Sequence, residues 1–126
     1  MIVDSSALVA ILKAEPEASS FARALEESSH TSISAGTLIE TGIVVGRTRQ
    51  EDLDELLRAA SVEVVAVDAR HAAAARDAWY RYGRGSGSAA RLNFGDCFAY
   101  AAAKLTGEPL LFKGDDFIHT DVPRAV

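Results

Sequence analysis

Short apolar runs, each ending on an acid or a turn, alternate along this chain with helical stripes. Met1-Ile2-Val3 reads as a buried strand closed by Asp4, and Thr31 to Ser34 as a second. Val62 to Val67, rich in β-branched residues, reads as the clearest strand, and Leu110 to Phe112 as a fourth. A further short strand is open near Val122. Between the runs lie helices. One follows Ser5 or Ser6 as cap, with Leu8, Ile11 and Leu12 on one face. Another has Pro16 in its first turn and the stripe Ala18, Phe21, Ala22, Leu25. Helices over Ala35 to Arg47 and Glu51 to Ala60 come next, the latter with Leu53, Leu56 and Leu57 inward. Asp68 caps a long helix with Ala72, Ala75, Ala78, Trp79 and Tyr82 on or near its buried side, and Asn93 caps one ending near Gly107. Strand alternating with helix predicts an α/β fold with parallel pairing. Sites in such sheets form beyond the carboxyl ends of the strands.

Carboxylates stand at several of those ends. Asp4 closes the first strand, Glu40 interrupts the apolar run from Leu38 to Val45, Asp96 opens an Ala-rich helix, and Asp115 and Asp116 follow the last strand. Stripping water from a carboxylate is costly, so acids near a core need a partner. No Lys or Arg is close in sequence to the first three. A divalent cation with oxygen ligands fits, which points to metal-assisted chemistry on a phosphate. Each acid also has an ordinary explanation. Asp4 could be a helix N-cap, Glu40 a solvent-facing residue, Asp96 an N-terminal dipole partner and the Asp115-Asp116 pair a solvated turn. Ile39, Ile43 and Val44 share the face of Glu40 and weigh against its facing water.

Composition bounds the partners. The 126 residues, 48% hydrophobic and 25% charged, suit one domain over 1–126 with a real core. A net charge of −5 argues against broad nonspecific nucleic-acid binding. The charge is nonetheless uneven: residues 70–91 hold five arginines and one acid. Cys97 is the only cysteine, so no internal disulfide forms, and three scattered histidines give no zinc-ligand spacing. The N-terminus lacks a signal-peptide pattern and no stretch can span a bilayer, so a cytoplasmic protein is expected.

The segments Ile2-Val3-Asp4-Ser5-Ser6-Ala7-Leu8, Thr37-Leu38-Ile39-Glu40-Thr41, Leu92-Asn93-Phe94-Gly95-Asp96-Cys97-Phe98 and Phe112-Lys113-Gly114-Asp115-Asp116-Phe117 together resemble PIN-domain nucleases, in particular the VapC toxins of bacterial type II toxin–antitoxin systems. The likeness runs in order along essentially the whole chain. It implies a three-layer α/β/α fold around a central parallel sheet of four or five strands. It also implies an endoribonuclease dependent on Mg2+ or Mn2+, held inactive by a cognate VapB-like antitoxin. Asp4 and Asp96 would be the main metal ligands, with Glu40 completing the site directly or through water. Asp116 is favoured as the fourth acid, and Asp115 stays open because relatives often carry an acid where this chain has Gly114. Ser6 would hydrogen-bond a ligating carboxylate, and Asn93 could do the same or only cap its helix. Family members commonly dimerise, which leaves a homodimer open here.

Water-mediated hydrolysis of RNA suits a chain with an excess of acids and no nucleophile–base pair in view. RNA also needs positive surface. Arg81, Arg84 and Arg91 around the Gly/Ser loop are candidates, as is Lys113, although such charges are often plain soluble surface. Two other classes compete. A phosphotransfer receiver would use Asp68 as acceptor and Lys113 beside it, but it lacks paired acids after the first strand and leaves Glu40 and Asp96 idle. A non-catalytic binding module would scatter the acids over the surface.

Overall fold

The computed structural model describes all 126 residues. Four parallel strands form one sheet in the order β3-β2-β1-β4: β1 (Ile2–Val3), β2 (Ser32–Ser34), β3 (Glu63–Val65) and β4 (Leu110–Leu111). Ile2 pairs with Ser32 on one side and Leu110 on the other, which makes β1 a central strand. A single bridge between Leu110 and Arg124 adds the tail beyond β4, near the expected Val122.

Neighbouring strand residues face opposite sides of a sheet, and two cores follow from that alternation. Ile2 and Leu110 enter one core with Leu92, Cys97, Tyr100, Phe112 and Phe117. Val3, Ile33 and Leu111 enter the other with Leu8, Phe21, Leu25 and Leu53. The first core is roofed by α5 (Ala69–Tyr82) and α6 (Phe94–Thr106). The second is roofed by α1 (Ser5–Leu12), α2 (Ala18–Glu27) and α4 (Gln50–Ala59). Between the layers, α3 (Ala35–Val45) leaves the end of β2 and packs on α1 and α6. This is the three-layer α/β architecture, with no helix long and apolar enough to cross a membrane.

Several local expectations change. The clearest strand in the sequence is an edge strand of three residues, with Val64 half exposed, because β-branched residues favour any pleated surface and not only a buried one. Pro16 lies in the turn before α2, not inside its first turn. Ala72 is exposed and Trp79 partly so, since α5 turns only the line through Ala75, Ala78 and Tyr82 toward the core. The α1 cap is Asp4 itself: its Oδ2 accepts the Ser6 N–H at 3.0 Å.

Candidate active site

The carboxyl ends of β1 and β4 lie side by side, and α3 and α6 stand over them. Here a pocket of about 290 Å³ is lined by Asp4, Glu40, Asp96 and Asp116, together with Ser5, Ser6, Asn93 and Lys113. Asp4, Glu40 and Asp96 lie more than thirty residues from one another along the chain, so only the sheet topology unites them.

Asp4 is 2% exposed. Its Oδ2 takes the Ser6 hydroxyl at 2.6 Å as well as the Ser6 backbone N–H. The Ser6 Oγ in turn accepts the Lys113 backbone N–H at 3.0 Å, which ties the acid to the end of β4. The other oxygen, Oδ1, is buried without any partner. Burial pushes the Asp4 carboxyl up despite the Ser6 bonds, and the Glu40 charge adds to the rise.

Asp96 sits in the first turn of α6 in a reciprocal capping box. Asn93 Oδ1 accepts the Asp96 N–H at 2.9 Å, and Asp96 Oδ2 accepts the Asn93 N–H at 2.8 Å. The box explains why an acid is at that place, yet the residue is 7% exposed and lies within the pocket. Burial raises its carboxyl to about 7, helped by the charges of Asp4, Asp116 and Glu40. The capping roles of Asp4 and Asp96 are therefore compatible with a functional one, since each cap engages one oxygen of the side chain.

Glu40 faces the pocket for a different reason from the one its neighbours offered. Ile39, Ile43 and Val44 are 66%, 75% and 50% exposed, so they do not mark a buried face. The Glu40 carboxylate is turned inward by a short hydrogen bond from the Ser5 hydroxyl and lies directly against Gly95 on α6. Ser5 and Gly95 are site residues that the sequence did not single out. Ser5 had seemed only a cap, and nothing local marks Gly95 as a contact.

After β4 the chain reverses at Gly114, whose φ of +93° is open to glycine at little cost. Phe117 is then buried against Phe112, with ring centroids 5.1 Å apart. That anchor sets Asp116 on the pocket wall and leaves Asp115 exposed, outside the lining. Lys113 reaches away from the acids: its Nζ pairs with Glu15 at 2.6 Å and Glu17 at 3.0 Å. Arg81 is engaged with Asp77 at 3.3 Å, the Tyr82 hydroxyl at 3.0 Å and Asp121 at 3.8 Å. Arg84 and Arg91 are exposed and form no ion pair. Asp68 caps α5 and bonds His71 at 2.8 Å, away from the acidic pocket and from Lys113, which removes the receiver arrangement.

No three acidic, imidazole or thiol groups form a preset ligand cage. The acids line walls and leave space between them. A volume of about 290 Å³ admits an ion and several waters at roughly 30 Å³ each. Magnesium keeps several waters and needs few carboxylates. An unpartnered buried carboxylate oxygen on Asp4 and two desolvated acids facing one cavity fit a hard cation.

Fold and pocket define an α/β domain with an acidic site at the carboxyl edge of its parallel sheet. Residues 1–123 match the PIN domain, and the chain belongs to the PIN-domain family. It is 47% identical over 126 residues to Ribonuclease VapC42 of Mycobacterium tuberculosis (strain ATCC 25618 / H37Rv), covering 97% of this chain and 96% of that relative. To Ribonuclease VapC of Mycolicibacterium smegmatis it is 48% identical, covering 97% of each. Its fold matches a chain of a toxin-antitoxin complex from Klebsiella pneumoniae with a TM-score of 0.71 at 20% identity, over 99% of this chain and 97% of that one.

The raised Asp96 carboxyl has a stability consequence. The folded state holds this proton up to about pH 7, whereas an unfolded Asp releases it near 3.8. Folded protein therefore binds more protons between those values, and stability falls as pH rises through that window. Without divalent cation, thermal unfolding should move to lower temperature from pH 4 to pH 8. Asp96→Asn, which keeps an acceptor for the cap, should flatten that slope; an unchanged slope would show that Asp96 is not the group responsible.

Proposed function

We propose that this chain is the ribonuclease toxin of a toxin–antitoxin pair, acting in the cytoplasm and hydrolysing RNA phosphodiester bonds at the acidic pocket with Mg2+ or Mn2+. One observation carries this: Asp4, Glu40, Asp96 and Asp116, from four separate segments, line a single cavity, and two of them are desolvated. The names of the VapC relatives agree with it. A phosphodiester is anionic, so four uncompensated carboxylates would repel it.

Asp4, one of whose carboxylate oxygens is buried without a partner, and Asp96 would hold the ion. A bound divalent cation supplies neutralising charge at the phosphate and lowers the pKa of water. Glu40 and Asp116 orient the attacking water. The water oxygen bonds to phosphorus as the bond to the leaving sugar oxygen breaks, and that oxygen takes up a proton. No side chain forms a covalent intermediate. Ser6 fixes the Asp4 rotamer, and Asn93 fixes that of Asp96, which keeps both acids aimed at the cavity. Asp115 plays no part in the lining.

Asp4→Asn and Asp96→Asn each preserve a hydrogen-bond acceptor and remove a charge. Each should lower Mg2+-dependent RNA cleavage by at least about a hundredfold, with chelation abolishing the wild-type rate. A variant cleaving at the wild-type rate would sink the assignment.

RNA contact is supported best at Arg84 and Arg91, whose guanidinium groups are free of acids, on the loop leading into Asn93. Arg81 and Lys113 would have to exchange their carboxylate partners for phosphate. Replacing Arg84 and Arg91 with Ala should shallow the salt dependence of RNA binding by about two charges. An unchanged slope would move the RNA to another face.

Two apolar surfaces support protein partners. A groove along α3 and α4, lined by Leu38, Ile39, Ile43 and Leu53, suits an amphipathic antitoxin segment. It draws on α3 and not on α2. Exposed Tyr80 and Phe94, at 77% and 76%, support a homodimer across α5 and α6. Ile43→Glu should abolish assembly with a co-expressed antitoxin, and Tyr80→Glu should yield monomer, both read by native mass measurement. Assemblies of unchanged mass would remove these surfaces from the scheme.

A further inference from the structure

Where α3 passes α6, each helix offers a glycine to a side chain of the other. The Phe98 ring of α6 lies over Gly36 of α3, close enough that a Cβ on Gly36 would stand 2.5 Å from its ring carbons. One turn along each helix, the Glu40 carboxylate of α3 lies over Gly95 of α6, and a Cβ on Gly95 would coincide with Glu40 Oε2. Gly95 is buried, has a neighbour in the capping box at Asp96, and has no positive φ to require glycine. Its lack of a side chain is therefore explained by the space it leaves. The opposite side of the same carboxylate is held by the Ser5 hydroxyl. Glu40 is thus gripped between the start of α1 and the first turn of α6.

We propose that Gly95 is a positioning residue for Glu40: the missing side chain makes the seat in which the Glu40 carboxylate faces the acidic pocket. Ser5 supplies the directional bond and Gly95 the steric opening. The Phe98–Gly36 contact sets the helix separation at which both operate. A methyl group at 95 would force Glu40 to another rotamer, away from Ser5, or push α3 from α6. Either movement withdraws one charge from the cation that the pocket is inferred to bind. This inference rests on the reading of Glu40 as a site acid.

Ala is normally favoured over Gly inside a helix, so the substitution carries its own control. Gly95→Ala should give no rise in the metal-free melting temperature, because the methyl meets Glu40. In a Glu40→Ala background the same substitution should raise it, because the obstacle is gone. Manganese titration by calorimetry should show Gly95→Ala and Glu40→Ala each weakening binding by about tenfold or more, and the double variant no weaker than Glu40→Ala alone. If Gly95→Ala fails to fold, recovery of folding in the double variant gives the same answer. Additive losses of Mn2+ affinity, or a melting change equal in both backgrounds, would overturn the proposal. A wild-type protein that does not bind Mn2+ would instead sink the metal reading, and the metal-free melting cycle would still decide whether residue 95 acts through Glu40.

Discussion

The site depends on one carboxylate that is almost wholly buried. Asp4 leaves the central strand β1 at its carboxyl end, beneath α1, α3 and α6. A bare carboxylate there would cost several kcal/mol. The Ser6 backbone and hydroxyl offset part of that cost on one oxygen and leave the other buried without a partner. The same Ser6 hydroxyl receives the Lys113 N–H, so the bond that steadies the acid also joins the ends of β1 and β4. The polar network that makes burial tolerable is thus the network that aligns the site.

The remaining acids are held by means that differ in kind. Asp96 belongs to a helix cap, Glu40 to a close crossing of two helices, and Asp116 to a turn pinned by a buried aromatic pair. None is placed by another acid. Burial raises Asp4 and Asp96, their repulsion by the neighbouring acids adds to the rise, and Lys113 does not relieve it because it is engaged by Glu15 and Glu17. A hard cation is the partner that would relieve a pocket in this condition, which is the basis of the proposed metal dependence.

Much of this was legible in residue order. The strand ends at Asp4 and after Phe112 gave the sheet edge on which sites form, and Asn93 with Asp96 announced the start of α6. The pairing of Ser6 with Asp4 was likewise expected, from the family resemblance. What misled was local hydrophobicity. Val62 to Val67 gave the strongest strand signal and proved a three-residue edge strand, and Ile39, Ile43 and Val44 suggested a buried face around Glu40 and proved exposed. In both cases a one-dimensional pattern shows that a surface is apolar but not what covers it. The free or engaged state of Arg81, Arg84, Arg91 and Lys113 was equally hidden, because most of their partners are acids of other segments.

By itself the sequence determined the alternation of strand and helix, the parallel sheet, and which acids stand at element boundaries, because each of these follows from hydrogen-bonding and periodicity within a few residues. Only the tertiary structure decided that Asp116 and not Asp115 lines the pocket, that Glu40 turns inward between Ser5 and Gly95, and that one oxygen of Asp4 is left without a partner. Those outcomes depend on steric fit and desolvation between segments far apart in the chain, and such energies exist only once the helices have closed over the sheet.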